Sequence, residues 1–326
     1  MTKKSTRKEG SNRLFPEEII LEVTNRCNLR CRYCHFHGRE AHPTRDQGDM
    51  DRKIWEKVLD ELESWSVPVT VMTHGAGEPL LYRDLTVLLQ ETKKIPHVGV
   101  GFMTNAMLLD RAWAVRLVEM QVDWIAFSVD GIVPKTHDYF RTNANLAVIE
   151  KNIMHLIGEK ERQGSDRPFL NFNMVGYPEI LDQSLGYVKK WLPHAQNVTV
   201  SKFRPVGSRH LWNETPPFPF RPCPLLYRQM VIGFDGTVGL CCEDINIDVK
   251  MGRVGERTLA QIFSSSPAYV RYRNAHEKGE VAELLLCNKC HVWGGDIPLK
   301  SEEVKVNGMG AKKISTPAFV LYQRVL

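Results

Sequence analysis

Cys27-Asn28-Leu29-Arg30-Cys31-Arg32-Tyr33-Cys34 follows directly on the apolar run Ile19-Ile20-Leu21-Glu22-Val23. Three cysteines stand here in C-x3-C-x2-C spacing, in one short loop behind a strand-like stretch. A four-iron cluster is held through thiolates. By spacing alone the loop could mark a zinc site; as ligands of a cluster, three thiolates hold three irons and leave the fourth open to the donor atoms of a small molecule. An open position points to chemistry, as a closed ligand set points to structure.

Outward from that loop, strands and helices alternate. Residues 17–23 read as a buried strand, 35–48 as a polar loop with Pro43 and Gly48. Residues 51–65 read as a helix, with Ile54, Leu59 and Leu62 on one side and Asp51 suiting the helix dipole near its start. Further strands are predicted near 68–72, 98–103, 123–128, 169–175 and 197–202, and helices near 82–93, 110–120, 143–158 and 180–192. This alternation predicts an α/β fold with a parallel sheet wound by right-handed crossovers. Six strands are countable, not eight. In such folds the active site lies at the C-terminal strand ends. Segments rich in functional side chains do follow the strands: His74-Gly75-Ala76-Gly77-Glu78-Pro79, Thr104-Asn105 and Ser128-Val129-Asp130-Gly131. Glycines permit close backbone approach to a ligand. Ser128 and Asp130, two apart on extended chain, share a face.

The cysteine loop with Tyr33 before its third cysteine, and the Gly-Glu-Pro and Ser-x-Asp segments behind later strands, resemble the radical S-adenosylmethionine (SAM) enzymes. The resemblance implies a partial (β/α)6 TIM-type barrel, in accord with the strand count. It implies that the open iron binds the amino and carboxylate groups of SAM. Reductive cleavage then yields a 5'-deoxyadenosyl radical that takes hydrogen from an unactivated carbon, so the cofactor carries the hard chemistry. By the same resemblance Cys27, Cys31 and Cys34 hold a 4Fe–4S cluster. Gly75, Gly77 and Glu78 meet the SAM amino group, and Thr104 and Asn105 form a recurrent pair behind the third strand. Ser128 and Asp130 reach the ribose and carboxylate, Arg141 lies near the carboxylate, and Tyr33 lies over the adenine. Plainer readings stand beside these: a turn at 75–79, a surface arginine at 141, packing at Tyr33. Asn171 and Asn173 are candidate ribose contacts or ordinary sheet asparagines.

Composition bounds the rest. The chain has 326 residues, 43% hydrophobic and 25% charged, enough for a sizeable core and a soft prior for two domains. Lys and Arg number 43 against 38 Asp and Glu, a margin of +5 that argues weakly for nucleic acid. Arg204, Arg209, Arg221, Arg228, Arg271 and Arg273 read as solvated surface rather than a nucleic-acid patch. No run reaches the roughly 18 apolar residues of a membrane span. Residues 1–14 read as a flexible basic tail, not a secretory signal. Eight cysteines without an export signal argue for metal over disulfides and for a cytoplasmic protein.

Pro205, Pro216, Pro217, Pro219, Pro222 and Pro224 crowd a segment that cannot be regular structure. The expected division is a core over 15–204, a proline-rich linker over 205–222 and a small β-hairpin/α iron–sulfur domain over 223–326. Asp235-Gly236 between the apolar runs 230–234 and 237–240 signals a hairpin. It carries Cys241 back toward Cys223, and Cys287-x2-Cys290 follows a helical stretch over 258–285. Four thiolates from three places make a closed site, for zinc or for a cluster. The set Cys223, Cys241, Cys287 and Cys290 resembles the SPASM extension of the radical SAM family in its shortened "twitch" form, which implies one auxiliary 4Fe–4S cluster.

Cys242 is left over. It reads as a small buried hydrophobe, as the ligand in place of Cys241, or as a catalytic hydrogen-atom donor that quenches a substrate radical and inverts a stereocentre. The resemblance therefore implies either an epimerase of a peptide or carbohydrate, slightly favoured, or a dehydrogenase of a sugar alcohol that passes an electron to the auxiliary cluster. An external low-potential donor such as flavodoxin or ferredoxin is implied in both cases. Only Met1 to Pro16 precede the first strand, too few for a leader-binding module. The reading from another class is a non-catalytic iron–sulfur carrier or zinc-binding module, which has no need of a SAM pocket.

Overall fold

Short β-branched and apolar runs become the parallel strands of an open sheet. The computed structural model describes residues 14–203 and 218–325. In chain order the first half holds β1 (Glu18–Leu21), α1 (Arg52–Glu63), β2 (Val69–Met72), α2 (Leu85–Lys93), β3 (Val98–Thr104), α3 (Arg111–Glu119) and β4 (Trp124–Ser128). Then come α4 (Pro134–Phe140), α5 (Leu146–Gln163), β5 (Phe169–Gly176), α6 (Ser184–Trp191) and β6 (Asn197–Lys202). β1 to β6 lie side by side in sequence order, each parallel to the next. The six expected strands are all present; α4 was not expected.

Strand register separates two faces, because side chains alternate along a strand. Ile19, Val71 and Val100 form one row, and Phe127, Phe172 and Val198 another; all are fully buried beneath the helices. The opposite face carries Met72, Gly101 and Trp124 in one row and Ser128, Asn173 and Thr199 in another. In the first row the Trp124 side chain lies against Gly101, and the second row is polar. Asp51, Asp110 and Asn145 cap α1, α3 and α5 through their side chains.

The second half continues the same sheet. It holds α7 (Leu225–Arg228), β7 (Gln229–Ile232), β8 (Thr237–Gly239), β9 (Lys250–Arg253), α8 (Leu259–Ser265), α9 (Pro267–Lys278), β10 (Lys300–Val306), β11 (Met309–Ser315) and β12 (Phe319–Arg324). β7 joins the free side of β1 in parallel, Ile19 opposite Met230, and β8 and β9 continue from it. β12 joins the free side of β6 antiparallel, Val320 opposite Val200. The result is one 12-stranded sheet from β10 to β9, a partial barrel extended at both edges. The hairpin at Asp235-Gly236 is present, with Gly236 at φ +85°. The helical stretch 258–285 divides at Ser266-Pro267, which starts α9, and ends at Gly279. Residues 205–217 of the expected linker and 1–13 of the expected tail lie outside the described residues. Among the described residues no helix is long and apolar enough to cross a membrane.

Candidate active site

The cysteine loop is strung along the chain that follows α4. Arg30 N–H donates to Thr142 O at 3.0 Å and Arg32 N–H to Phe140 O at 2.8 Å. Leu29 anchors it in the core, 1% exposed. Backbone N–H groups point at two sulfurs: Leu29 at Cys27 Sγ (3.4 Å), Phe36 and His37 at Cys34 Sγ (3.4 and 3.2 Å). Burial pushes the Cys27 thiol up to about 12, with Glu78, Cys31 and Cys34 adding to it, and burial likewise raises Cys31. Thiols so placed resist ionisation in water but suit cationic irons, which bind the thiolate.

The segment behind β2 packs on that loop. A Cβ at Gly77 would meet Arg26 O at 2.4 Å and Thr24 O at 2.6 Å, and one at Gly75 would meet the Glu22 side chain at 2.5 Å. The close approaches that require these glycines are thus to protein. Glu22 itself accepts from Ala76 N at 3.0 Å and is held by a fork from Arg45. Arg45 also donates to Ile245 O at 2.9 Å, tying this corner to the C-terminal half.

Glu78, Thr104 and Asn105 come together in one buried cluster. Thr104 Oγ1 donates to Glu78 Oε1 at 2.7 Å and Asn105 N–H to Glu78 Oε2 at 2.8 Å. Glu78 N–H donates to Arg26 O at 2.8 Å, and Asn105 Nδ2 to Asn28 Oδ1 at 2.9 Å. Burial raises the Glu78 carboxyl to about 7 against these hydrogen bonds. The Glu78 and Thr104 side chains therefore face each other and stitch two strand ends to the cysteine loop.

Asp130 is fully buried. It accepts from Val175 N at 2.8 Å and from Arg141 Nε at 2.7 Å. Burial works against the Arg141 charge, but Asp130 and Cys31 outweigh it and hold the guanidinium above its ordinary range. Arg141 is not a surface arginine. Its two terminal nitrogens have no hydrogen-bond partner among the described residues. Ser128 Oγ and the Asn173 amide, in one register row, likewise have none. Asn171 instead accepts from Asn197 Nδ2 at 2.9 Å.

Tyr33 belongs to an aromatic group, with ring centroids 4.7 Å from Phe203 and 5.4 Å from Tyr177; Tyr177 stacks on Phe140 at 4.2 Å. Tyr33, Tyr177 and Phe203 line a cavity of about 410 Å³ at the C-terminal ends of β5 and β6. Leu225, Arg228, Glu243 and Val292 form its far wall, and Phe319 of β12 closes one side. Nothing in the sequence marked this cavity. Its walls are contributed by residues nearly 290 positions apart, Tyr33 to Phe319.

A second, enclosed cavity is lined by Cys223, Cys241, Cys287 and Cys290 among Leu226, Leu240 and Trp293. Burial raises Cys223 to about 11 and Cys287 to about 12, and lifts Cys241 and Cys290 as well. Cys223 N–H donates to Nδ1 of His276 at 3.2 Å. Four thiols around an apolar hollow fit a cluster. Cys242 is exposed, its N–H bonded to Gln229 Oε1 at 3.1 Å, so the buried-hydrophobe reading fails; it lines neither cavity. Leu225, Glu243 and Val292 line both cavities, so one layer of side chains separates them.

The profile of the radical SAM superfamily matches residues 21–192, and that of the SPASM iron–sulfur cluster-binding domain residues 223–291. The chain belongs to the radical SAM superfamily and carries a SPASM-type C-terminal domain. Its cofactors are accordingly a SAM-binding 4Fe–4S cluster, an auxiliary cluster and SAM. The tungsten-containing aldehyde ferredoxin oxidoreductase cofactor-modifying protein of Pyrococcus furiosus is 30% identical over 158 residues, 48% of this chain and 43% of its own length. The match thus spans less than half of that relative. The S-adenosyl-L-methionine-dependent 2-deoxy-scyllo-inosamine dehydrogenase of Niallia circulans is 22% identical over 286 residues, 87% of this chain and 95% of its own. Streptococcus suis SuiB bound to precursor peptide SuiA shares the fold, with TM-score 0.60 at 15% identity over 79% of this chain and 67% of that one.

Proposed function

We propose that this chain is a radical SAM dehydrogenase, which oxidises a C–H carbon of a polar carbohydrate-like or peptide substrate held in the cavity of about 410 Å³. The observation that carries this reading is the shared wall: Leu225, Glu243 and Val292 border both the cavity and the four-cysteine hollow. Cys27, Cys31 and Cys34 would hold the SAM-binding cluster, and Cys223, Cys241, Cys287 and Cys290 the auxiliary one. When bound, the first cluster and SAM supply hydrogen abstraction, and the second supplies an electron acceptor.

The protein's own part is placement. The Asp130–Arg141 pair presents free guanidinium nitrogens beside Cys31, where a carboxylate would be received. Ser128 and Asn173 offer unpartnered polar groups to a ribose. Tyr33 and Phe203, edge to face at 61°, supply an aromatic corner for adenine and exclude water. The dehydrogenase relative, which aligns along nearly the whole chain, supports oxidation. A second reading keeps epimerisation: the exposed Cys242 adjoins Glu243 of the cavity wall.

Turnover in deuterated water, with an external low-potential donor, separates the two. A product lighter by two mass units without deuterium supports dehydrogenation. Deuterium gained at one carbon without mass loss, abolished by Cys242→Ala, would overturn it in favour of epimerisation. Failure to form 5'-deoxyadenosine under strong reduction would reject both.

A further inference from the structure

Arg228 ends α7 and lines the cavity of about 410 Å³. Its Nε is buried without a hydrogen-bond partner. Among the described residues its guanidinium has no ion pair, and the nearby acid Asp296 is engaged by Arg221 at 3.2 Å. The neighbouring Arg273 shows how this fold treats a structural arginine. Its Nε and Nη1 donate to Leu226 O (2.9 Å) and Phe263 O (2.6 Å), leaving Nη2 without a partner, and it lies over the Phe263 ring. Arg228 has no such arrangement. The walls around it are mainly apolar or aromatic, Tyr177, Phe203, Leu225, Val292 and Phe319 among them, with Lys202, Glu243 and Asp296 as the other charged residues. A half-buried guanidinium whose Nε has no partner suits an anion. A planar guanidinium with free donors matches the paired oxygens of a carboxylate or phosphate.

We propose that Arg228 receives an anionic oxygen group, a carboxylate or a phosphate, carried by the substrate. This rests on the reading of the cavity as the substrate site and adds the substrate's charge class to it. The cavity has the size of a small-molecule site. With Arg228 on the wall next to the auxiliary cysteines, an anchored acid would fix which end of the substrate lies there and which points away from them.

Calorimetric binding to the anaerobically reconstituted, SAM-loaded protein tests this without turnover. Glucose, gluconate and glucose 6-phosphate serve as probes that share a carbon skeleton and differ in charge. At least one acid should bind tenfold or more tightly than glucose, and which one distinguishes carboxylate from phosphate. Arg228→Gln should abolish the preference, and Arg228→Lys should keep a part of it as a point charge. Equal affinity for the three probes, no binding of either acid, or a preference that survives Arg228→Gln would each overturn the proposal. So would a shifted auxiliary-cluster potential in Arg228→Gln with unchanged probe affinity, which would make Arg228 the cluster's counter-charge. Should Arg228→Gln not fold, the wild-type preference and Arg228→Lys still decide. Charge preference does not depend on whether product is oxidised or epimerised, so this proposal and the dehydrogenase reading fail separately.

Discussion

Asp130 and Arg141 form a buried ion pair, Nε to Oδ2 at 2.7 Å, that joins the turn before α4 to the residue just after it. The pair joins three parts of the site. Asp130 also holds Val175 of β5, and the backbone on both sides of Arg141 holds the cysteine loop at Arg30 and Arg32. Asp130→Asn keeps an acceptor for Val175 but strands the guanidinium. Removing one partner of a buried pair costs about 3–5 kcal/mol. We expect a stability loss of that order by urea unfolding, together with weaker SAM binding. Unchanged stability would show the pair to be solvated.

Glu78 makes a pH-dependent contribution whose sign is fixed by burial. Its folded pKa of about 7 lies above the ordinary 4.5, so the folded chain holds this proton more tightly than the unfolded chain. The stability gained is present at low pH and is lost as pH rises through the folded value. Between 4.5 and 7 the loss amounts to about 3 kcal/mol. His74, pushed down to about 4 by burial, contributes a slope of opposite sign. The measurement is therefore a difference, wild type minus Glu78→Gln, on iron-free protein. It should fall by about 3 kcal/mol over that window; a flat difference would mean Glu78 is ionised throughout.

Much of the core was legible because parallel strands buried on one face announce themselves as short β-branched runs. The ends of those strands were legible too, since Glu78, Thr104, Ser128 and Asp130 are polar residues directly behind apolar ones. What was hidden was who meets whom. Gly75 and Gly77 suggested ligand approach, but their close neighbours are Glu22 and the backbone of Thr24 and Arg26. β10 and β11 escaped because charged residues interrupt their alternation, as in Lys300-Ser301-Glu302-Glu303. Yet Asn307-Gly308, both at positive φ (50° and 81°), is a hairpin signal that could have exposed β10 and β11. The substrate cavity was beyond reach, since no local pattern brings Arg228 opposite Tyr177.

Adjacent cysteines 241 and 242 should behave oppositely. Cys241 lines the enclosed hollow and Cys242 is exposed. Cys241→Ala should reduce bound iron from about eight atoms per chain to about four, as one four-iron cluster is lost. Cys242→Ala should keep the full count and the spectrum of both clusters. Iron analysis with electron paramagnetic resonance reads both, and iron loss in Cys242→Ala alone would exchange the assignments.

Gly77→Ala separates a packing glycine from a ligand-facing one. The new methyl would press on the carbonyl oxygens of Arg26 and Thr24, at 2.4 and 2.6 Å, and neither can move without shifting the cysteine loop. Overpacking of this kind costs about 1–3 kcal/mol. The first cluster should therefore lose iron on dilution into chelator while the auxiliary cluster keeps it. Gly158→Ala is the control: it lies within α5 with no atom near its would-be Cβ, and it should gain about 0.5–1 kcal/mol. If Gly77→Ala kept its stability and its iron and lost only SAM affinity, the glycine would serve the ligand and not the loop.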